Sequence, residues 1–373
     1  MNVDGVDAFT PGRLVLARER RGVTQKWLSD AAGVSPRMIK AYEAGEKNPS
    51  AETLRAVAEA LTFPIPFFSA PPVDLMTVEA ASFRAFTKAG AQLRGRAVAA
   101  GSLGLELNAY LTERFDLPSP DVPDLRIPAS ASEHETLSSA ASIAESVRHQ
   151  WGLGERPIPH MIHVLELHGV RVFSLSEDCD AIDAFSFWRN GTPFMFLNTR
   201  KTAERSIFDA AHELAHLVMH QHGCPQGRGA EREADAFAAS FILPEAAITA
   251  SAPRLVTIAT LAEMKKTWHA SVAALGHRLF DLGLVSEWQY RHFNIELAKR
   301  GKRNEPAPLP RETSAILRKT IAALGEEGVG LREIARDLHL PVGELRALTF
   351  GLHALTGEGQ DSAPSHAALR LLR

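Results

Sequence analysis

The residues best placed to do chemistry are His212, Glu213 and His216, in the run His212-Glu213-Leu214-Ala215-His216. Residues four apart on an α-helix share a face, so the two imidazoles can converge on one metal ion while Glu213 lies beside them. Two histidines and a carboxylate are the smallest catalytic zinc set that leaves a position open for water. The acid is expected on a neighbouring element, and Glu231-Arg232-Glu233-Ala234-Asp235 offers three. Glu231 and Asp235 are one turn apart, so one can ligate while the other orients a ligand imidazole from behind. Glu233 is the rival ligand, about 200° around the helix from Glu231. Nitrogen and oxygen donors suit Zn2+ best and admit Mn2+ or Fe2+. Glu213 would accept a proton from activated water and pass it to a leaving amine, which suits amide hydrolysis within a polypeptide. His220 and His222 read as surface side chains at a helix C-terminus. Cys179 and Cys224 read as plain thiols.

Positioning these groups requires helices over 205–222 and 231–243. Ile207, Phe208, Ala211, Leu214, Leu217 and Val218 would bury the back of the first, and Gly223-Cys224-Pro225 would stop it. Upstream lie helical patterns over 133–151 and 159–169. Strand-like runs follow over 170–175, 183–189 and 193–199, the last two joined at Asn190-Gly191, a strong hairpin signal. A strand beside the metal could align an extended peptide by strand addition. More helix runs to about residue 300. Proline-rich stretches at 71–72, 118–128 and 305–310 divide the chain into 1–69, 70–128, 129–304 and 305–373. The expected class is mainly α with a small β-sheet, α+β. The 86–115 stretch has helical spacing weakened by Gly101 and Gly104, and reads as core or as a contact for a second copy.

Residues 24–42 have helix–turn–helix form: Thr24 caps the first helix, Gly33 stops it, and Ser35 with Pro36 opens the second. A second helix in the DNA major groove would present Ser35, Pro36, Arg37, Lys40 and Ala41, with Arg37 and Lys40 reaching guanine edges or phosphates. Gln25, Lys47 and Asn48 sit near helix starts, where phosphates are commonly held. Residues 1–69 carry nine basic and eight acidic side chains, net +1. DNA binding must therefore rest on placement, and modest affinity per module favours a homodimer. Residues 331–352 have a second helix–turn–helix look with few basic residues.

The composition, 45% hydrophobic and 23% charged over 373 residues, excludes wholesale disorder and collagen-like order. The net charge of −3 argues against binding nucleic acid by charge alone. Two cysteines cannot build a disulfide framework and suit a reducing compartment. The polar start and the absence of a run of about 18 apolar residues point to a cytoplasmic chain with no membrane partner.

Residues 10–68 resemble the Xre/Cro-repressor type of helix–turn–helix, through TQKWLSDAAGVSPRMIKAYEAGEKNPSAETLRAVAEAL. Residues from about 130 to 305 resemble the ImmA/IrrE metallopeptidases, through DAFSFWRNGTPFMFLNT, RSIFDAAHELAHLVMH, EREADAFAASFILP and KKTWHASVAALGHRL. The resemblance implies a zincin-like fold and a protease that cuts a repressor protein after a stress cue. It assigns His212, His216 and Glu231 as ligands, Glu213 as base, and places Asp235 where the family has Asn or Asp. It implies double-stranded operator DNA and a repressor substrate, or self-cleavage, with single-stranded DNA as a candidate cue. Two other functions fit the same residues: a transcription factor whose metal domain only senses, and an antitoxin that holds a partner toxin.

Overall fold

Four short helices open the computed structural model, which describes residues 9–76, 90–126, 133–175, 182–220, 227–300 and 305–352. They are α1 (Pro11–Arg21), α2 (Gln25–Ala31), α3 (Pro36–Glu43) and α4 (Ala51–Leu61). Pro11 starts α1 where a missing N–H is harmless, and Gly22, at φ 64°, ends it in the left-handed region. Thr24, Ser35 and Ser50 cap the next three by accepting from the N–H groups of Trp27, Met38 and Thr53. Leu28, Ile39, Leu54 and Leu61 meet in the core beneath them.

The sheet explains the rest of the architecture. Its strands are β1 (Arg171–Leu175), β2 (Ala184–Arg189) and β3 (Thr192–Asn198), in the order β1-β3-β2. β1 runs parallel to β3, and β2 pairs with it antiparallel through a tight turn. Asn190 and Gly191 both have positive φ there, 49° and 74°, as a type I′ hairpin requires. Side chains alternate across the sheet. Phe173, Phe185, Phe187, Phe194 and Phe196 share one face, with Phe185 and Phe196 stacked at 4.8 Å. Val172, Ala184, Met195 and Leu197 point the other way, into a second core.

Helix α5 (Ala91–Thr112) lies across the phenylalanine face. The two glycines that weaken the helical pattern are what permit this approach. A Cβ on Gly104 would stand 2.5 Å from Phe196, and one on Gly101 would stand 2.5 Å from the Met76 sulfur. Residues 97–104 are all buried, so the middle of this helix is core. The aromatic core also takes in α14 (Ala315–Glu326), α15 (Leu331–Asp337) and α16 (Val342–Leu348). The second helix–turn–helix look resolves here. Glu344 of α16 is buried and accepts from Arg20 Nε at 2.6 Å and from Arg21, so this pair docks on α1.

The other sheet face packs against α6 (Glu133–Gln150), α7 (Met161–Leu167), α8 (Ala203–Met219) and α9 (Arg228–Ile242). Then come α10 (Glu245–Ser251), α11 (Ile258–Trp268), α12 (Val272–Asp281) and α13 (Glu287–Arg300). Buried charges tie these elements together. Arg148 donates to the carbonyls of Gly154, Phe241 and Arg156, so it caps the far end of α9. Two carboxylates cap helices reciprocally: Glu312 accepts from Met161 and Ile162 at the start of α7, and Glu166 of α7 accepts from Ala315 and Ile316 at the start of α14. The proline-rich 305–310 stretch is strapped down rather than free, with Lys265 reaching Glu204, Glu305 and the Pro306 carbonyl. The result is a mainly helical protein around one small sheet, the α+β class expected. Among the described residues, no helix is long and apolar enough to cross a membrane.

Candidate metal centre and DNA-reading surface

Helix α8 carries the histidine pair. Thr202 caps it, accepting from the Arg205 N–H, and Ile207, Ala210, Ala211, Leu214, Leu217 and Val218 bury its back. The helix ends at Met219, short of the expected stop at Gly223-Cys224-Pro225, which lies outside the described residues, as do Cys179 and His222. α9 packs alongside and brings Glu231, Glu233 and Asp235 into reach of the pair.

The three expected ligand groups come together. His212 Nε2 and His216 Nε2 are 3.2 Å apart. Glu231 Oε2 lies 3.3 Å from His212 Nε2, and its Oε1 lies 3.7 Å from His216 Nε2. One ligand atom from each of the three residues lies within 4.8 Å of the others, close enough for all three to reach one ion at bonds of about 2.0–2.1 Å. No other group of three such residues lies this close among the described residues. Glu233, the rival, turns instead to His220 Nε2 at 3.0 Å.

Behind the ligands, each imidazole has a partner on Nδ1. Asp235 Oδ1 meets His212 Nδ1 at 2.9 Å, and His220 Nδ1 meets His216 Nδ1 at 2.9 Å. Burial opposes charge on His212, but its hydrogen bonds to Asp235 and Glu231 outweigh that and raise it to about 10. Glu213 is buried, and Ser186 Oγ donates to its Oε2 at 2.6 Å and to its backbone carbonyl at 3.2 Å. Trp188 Nε1 similarly donates to the Leu217 carbonyl, so β2 is pinned along α8.

The pattern of residues missed two members of this constellation. His220 is no surface histidine: its side chain is 9% exposed and bonded at both ring nitrogens. The signal was present in the second four-residue step from His216 to His220. Ser186 was signalled by alternation, since the flanking Phe185 and Phe187 face the aromatic core and send 186 toward α8.

In the amino-terminal domain, Arg37 and Lys40 of α3 are exposed, with Lys47 and Asn48 just beyond. Ser35 is exposed, but its hydroxyl oxygen is engaged in capping α3. Ala41 differs from expectation. It is buried with Ile39 and Tyr42, because one face of this eight-residue helix must close the core. Gln25 donates to Glu43 at 2.6 Å, the same carboxylate that accepts from Arg18 Nε at 2.5 Å, so its amide is tethered to α3.

Residues 165–280 match the family model described as the IrrE N-terminal-like domain, and residues 14–68 match the model described as helix-turn-helix. No curated protein matches the chain. The chain thus joins an Xre-type helix–turn–helix domain to an ImmA/IrrE-like metallopeptidase domain on one polypeptide.

Proposed function

We propose that this protein is a DNA-bound regulator whose metal-dependent peptidase domain cleaves a protein, either a repressor or its own chain, when a stress signal reaches it. His212, His216 and Glu231 would hold the ion, zinc by the chemistry of the donors, and Asp235 would keep His212 in the tautomer that leaves Nε2 free. A divalent ion so held supplies Lewis acidity toward a peptide carbonyl and makes water easier to deprotonate. The protein's part is to place the proton acceptor. The Glu213 carboxylate, gripped by Ser186, takes the proton of the attacking water and returns it to the leaving amine. Burial of Glu213 keeps bulk water from competing for that proton.

Arg37 and Lys40, exposed on α3, would read double-stranded DNA from the major groove, with Lys47 and Asn48 against the backbone. The observation that carries the reading is the convergence of His212, His216 and Glu231 on one small volume with Glu213 next in sequence.

The test is Glu213→Gln in zinc-reconstituted full-length protein. Wild type and variant are compared for bound metal, for self-fragments by mass spectrometry, and for cleavage of a fluorogenic peptide library. The expected result is equal metal and no cleavage by the variant. A metal-loaded wild type that cleaves nothing in either assay, with or without single-stranded DNA added, would make the domain a sensor.

A further inference from the structure

We propose that His220 and Glu233 form a relay of positioning residues that fixes the orientation and tautomer of His216. The inference rests on the metal-binding reading above and extends it to two residues with no assigned role.

With both rings neutral and His216 Nε2 given to a metal, the hydrogen-bond geometry leaves one arrangement of protons. His216 can offer Nε2 to a metal only as a lone pair, so its neutral ring carries the proton on Nδ1. That N–H faces His220 Nδ1 at 2.9 Å, which must then accept. His220 in turn carries its proton on Nε2, 3.0 Å from Glu233 Oε2. Reversing the first bond would make His216 Nδ1 the acceptor and move its proton to Nε2, closing that nitrogen to a metal. The Glu233 carboxylate, only 11% exposed, selects against the reversal because it needs a donor and His220 Nε2–H supplies one.

Local structure makes the relay possible. α8 ends at Met219, and His220, which caps it, has φ of −121° and ψ of 28° that leave the helical region while its N–H still bonds the His216 carbonyl. The ring centroids of His216 and His220 lie 5.0 Å apart. Glu233 comes from α9, two residues after Glu231, so one helix supplies both the ligand carboxylate and the relay's anchor. The two ligand imidazoles are thus supported differently. His212 leans directly on Asp235, which is half exposed, whereas His216 leans on a buried imidazole that leans on a buried carboxylate.

The experiment measures Zn2+ affinity of metal-stripped full-length protein by competition with a chromophoric chelator, and the visible absorption of the Co2+ form. Folding is followed by circular dichroism. His220→Ala should weaken Zn2+ binding about 10- to 100-fold and shift the Co2+ spectrum, with helical content unchanged. His220→Gln, whose amide can accept from His216 and donate to Glu233, should recover most of the affinity. Glu233→Gln, nearly isosteric, should weaken binding by less than His220→Ala and decides the matter if the alanine variant fails to fold. Unchanged affinity and spectrum in folded His220→Ala or Glu233→Gln overturn the relay, as does an equal loss in His220→Ala and His220→Gln. A wild type that binds neither Zn2+ nor Co2+ overturns the metal centre itself, a different result from failure of the relay alone.

Discussion

Ser186 on the edge strand and Glu213 on the helix beneath it are joined by a 2.6 Å hydrogen bond from hydroxyl to carboxylate. The bond links β2 to the proposed base in the metal centre. Removing it by Ser186→Ala should leave metal content unaltered, since no ligand is touched, and slow peptide cleavage on the order of tenfold by letting the carboxylate wander. The loss of a buried hydrogen bond should cost about 1 kcal/mol of stability. Metal analysis beside cleavage rates checks this: a fall in bound metal matching the fall in rate would show that Ser186 supports the ligands and not the base.

The packing of α5 makes opposite predictions for two glycines in one helix. Gly104→Ala places a methyl 2.5 Å from a stacked phenylalanine and should destabilise the fold by about 1–3 kcal/mol. Gly95→Ala meets nothing closer than 3.7 Å, from the Glu19 side chain, and should gain about 0.5–1 kcal/mol from helix propensity. Urea denaturation of the two variants should give midpoints on either side of wild type.

These glycines also show where reading residues in order reaches its limit. The type I′ turn, the capped helices and the histidine pair are local, encoded within a few residues of one another, and were legible. Gly101 and Gly104 argue against a helix by propensity, and only contacts with Met76 and with Phe196, some 90 residues on, reverse that sense. The sorting of Glu231 and Glu233 between His212 and His220 likewise depends on how α9 sits against α8, which spacing along one helix does not reveal. Ala41 was misplaced because a short helix buries more of its circumference than a groove-reading picture allows for.

Asp209 predicts a pH dependence. It is buried one turn before Glu213, and burial pushes its carboxyl up to about 7 against the pull of Arg205, 2.9 Å away. An acid whose pKa is higher folded than unfolded is protonated preferentially in the fold. Its stabilising share is thus complete below its ordinary value near 4 and is lost as pH climbs through about 7. Chemical denaturation of the metal-stripped protein should show stability declining over that window, and Asp209→Asn should flatten the slope. A wild-type slope unchanged in the variant would assign the decline to another group.

DNA recognition should separate charge from base reading on one helix. Arg37 and Lys40 are both exposed on α3, and their domain has almost no net charge, so binding must rest on where its cations stand. With duplexes selected from a random library by the wild type, Arg37→Ala plus Lys40→Ala should reduce affinity at least tenfold. If both touch phosphates, the slope of log affinity against log salt should fall by about two. If Arg37 reads a guanine edge, that loss should be about 1–3 kcal/mol and confined to the preferred sequence, with non-specific binding reduced only by the share of Lys40. Affinity equal to wild type on the selected duplexes would show that α3 is not the reading helix. Because Glu213 lies across the sheet from this domain, Glu213→Gln should bind the same duplexes with unaltered affinity, and the two activities can be scored independently in one chain.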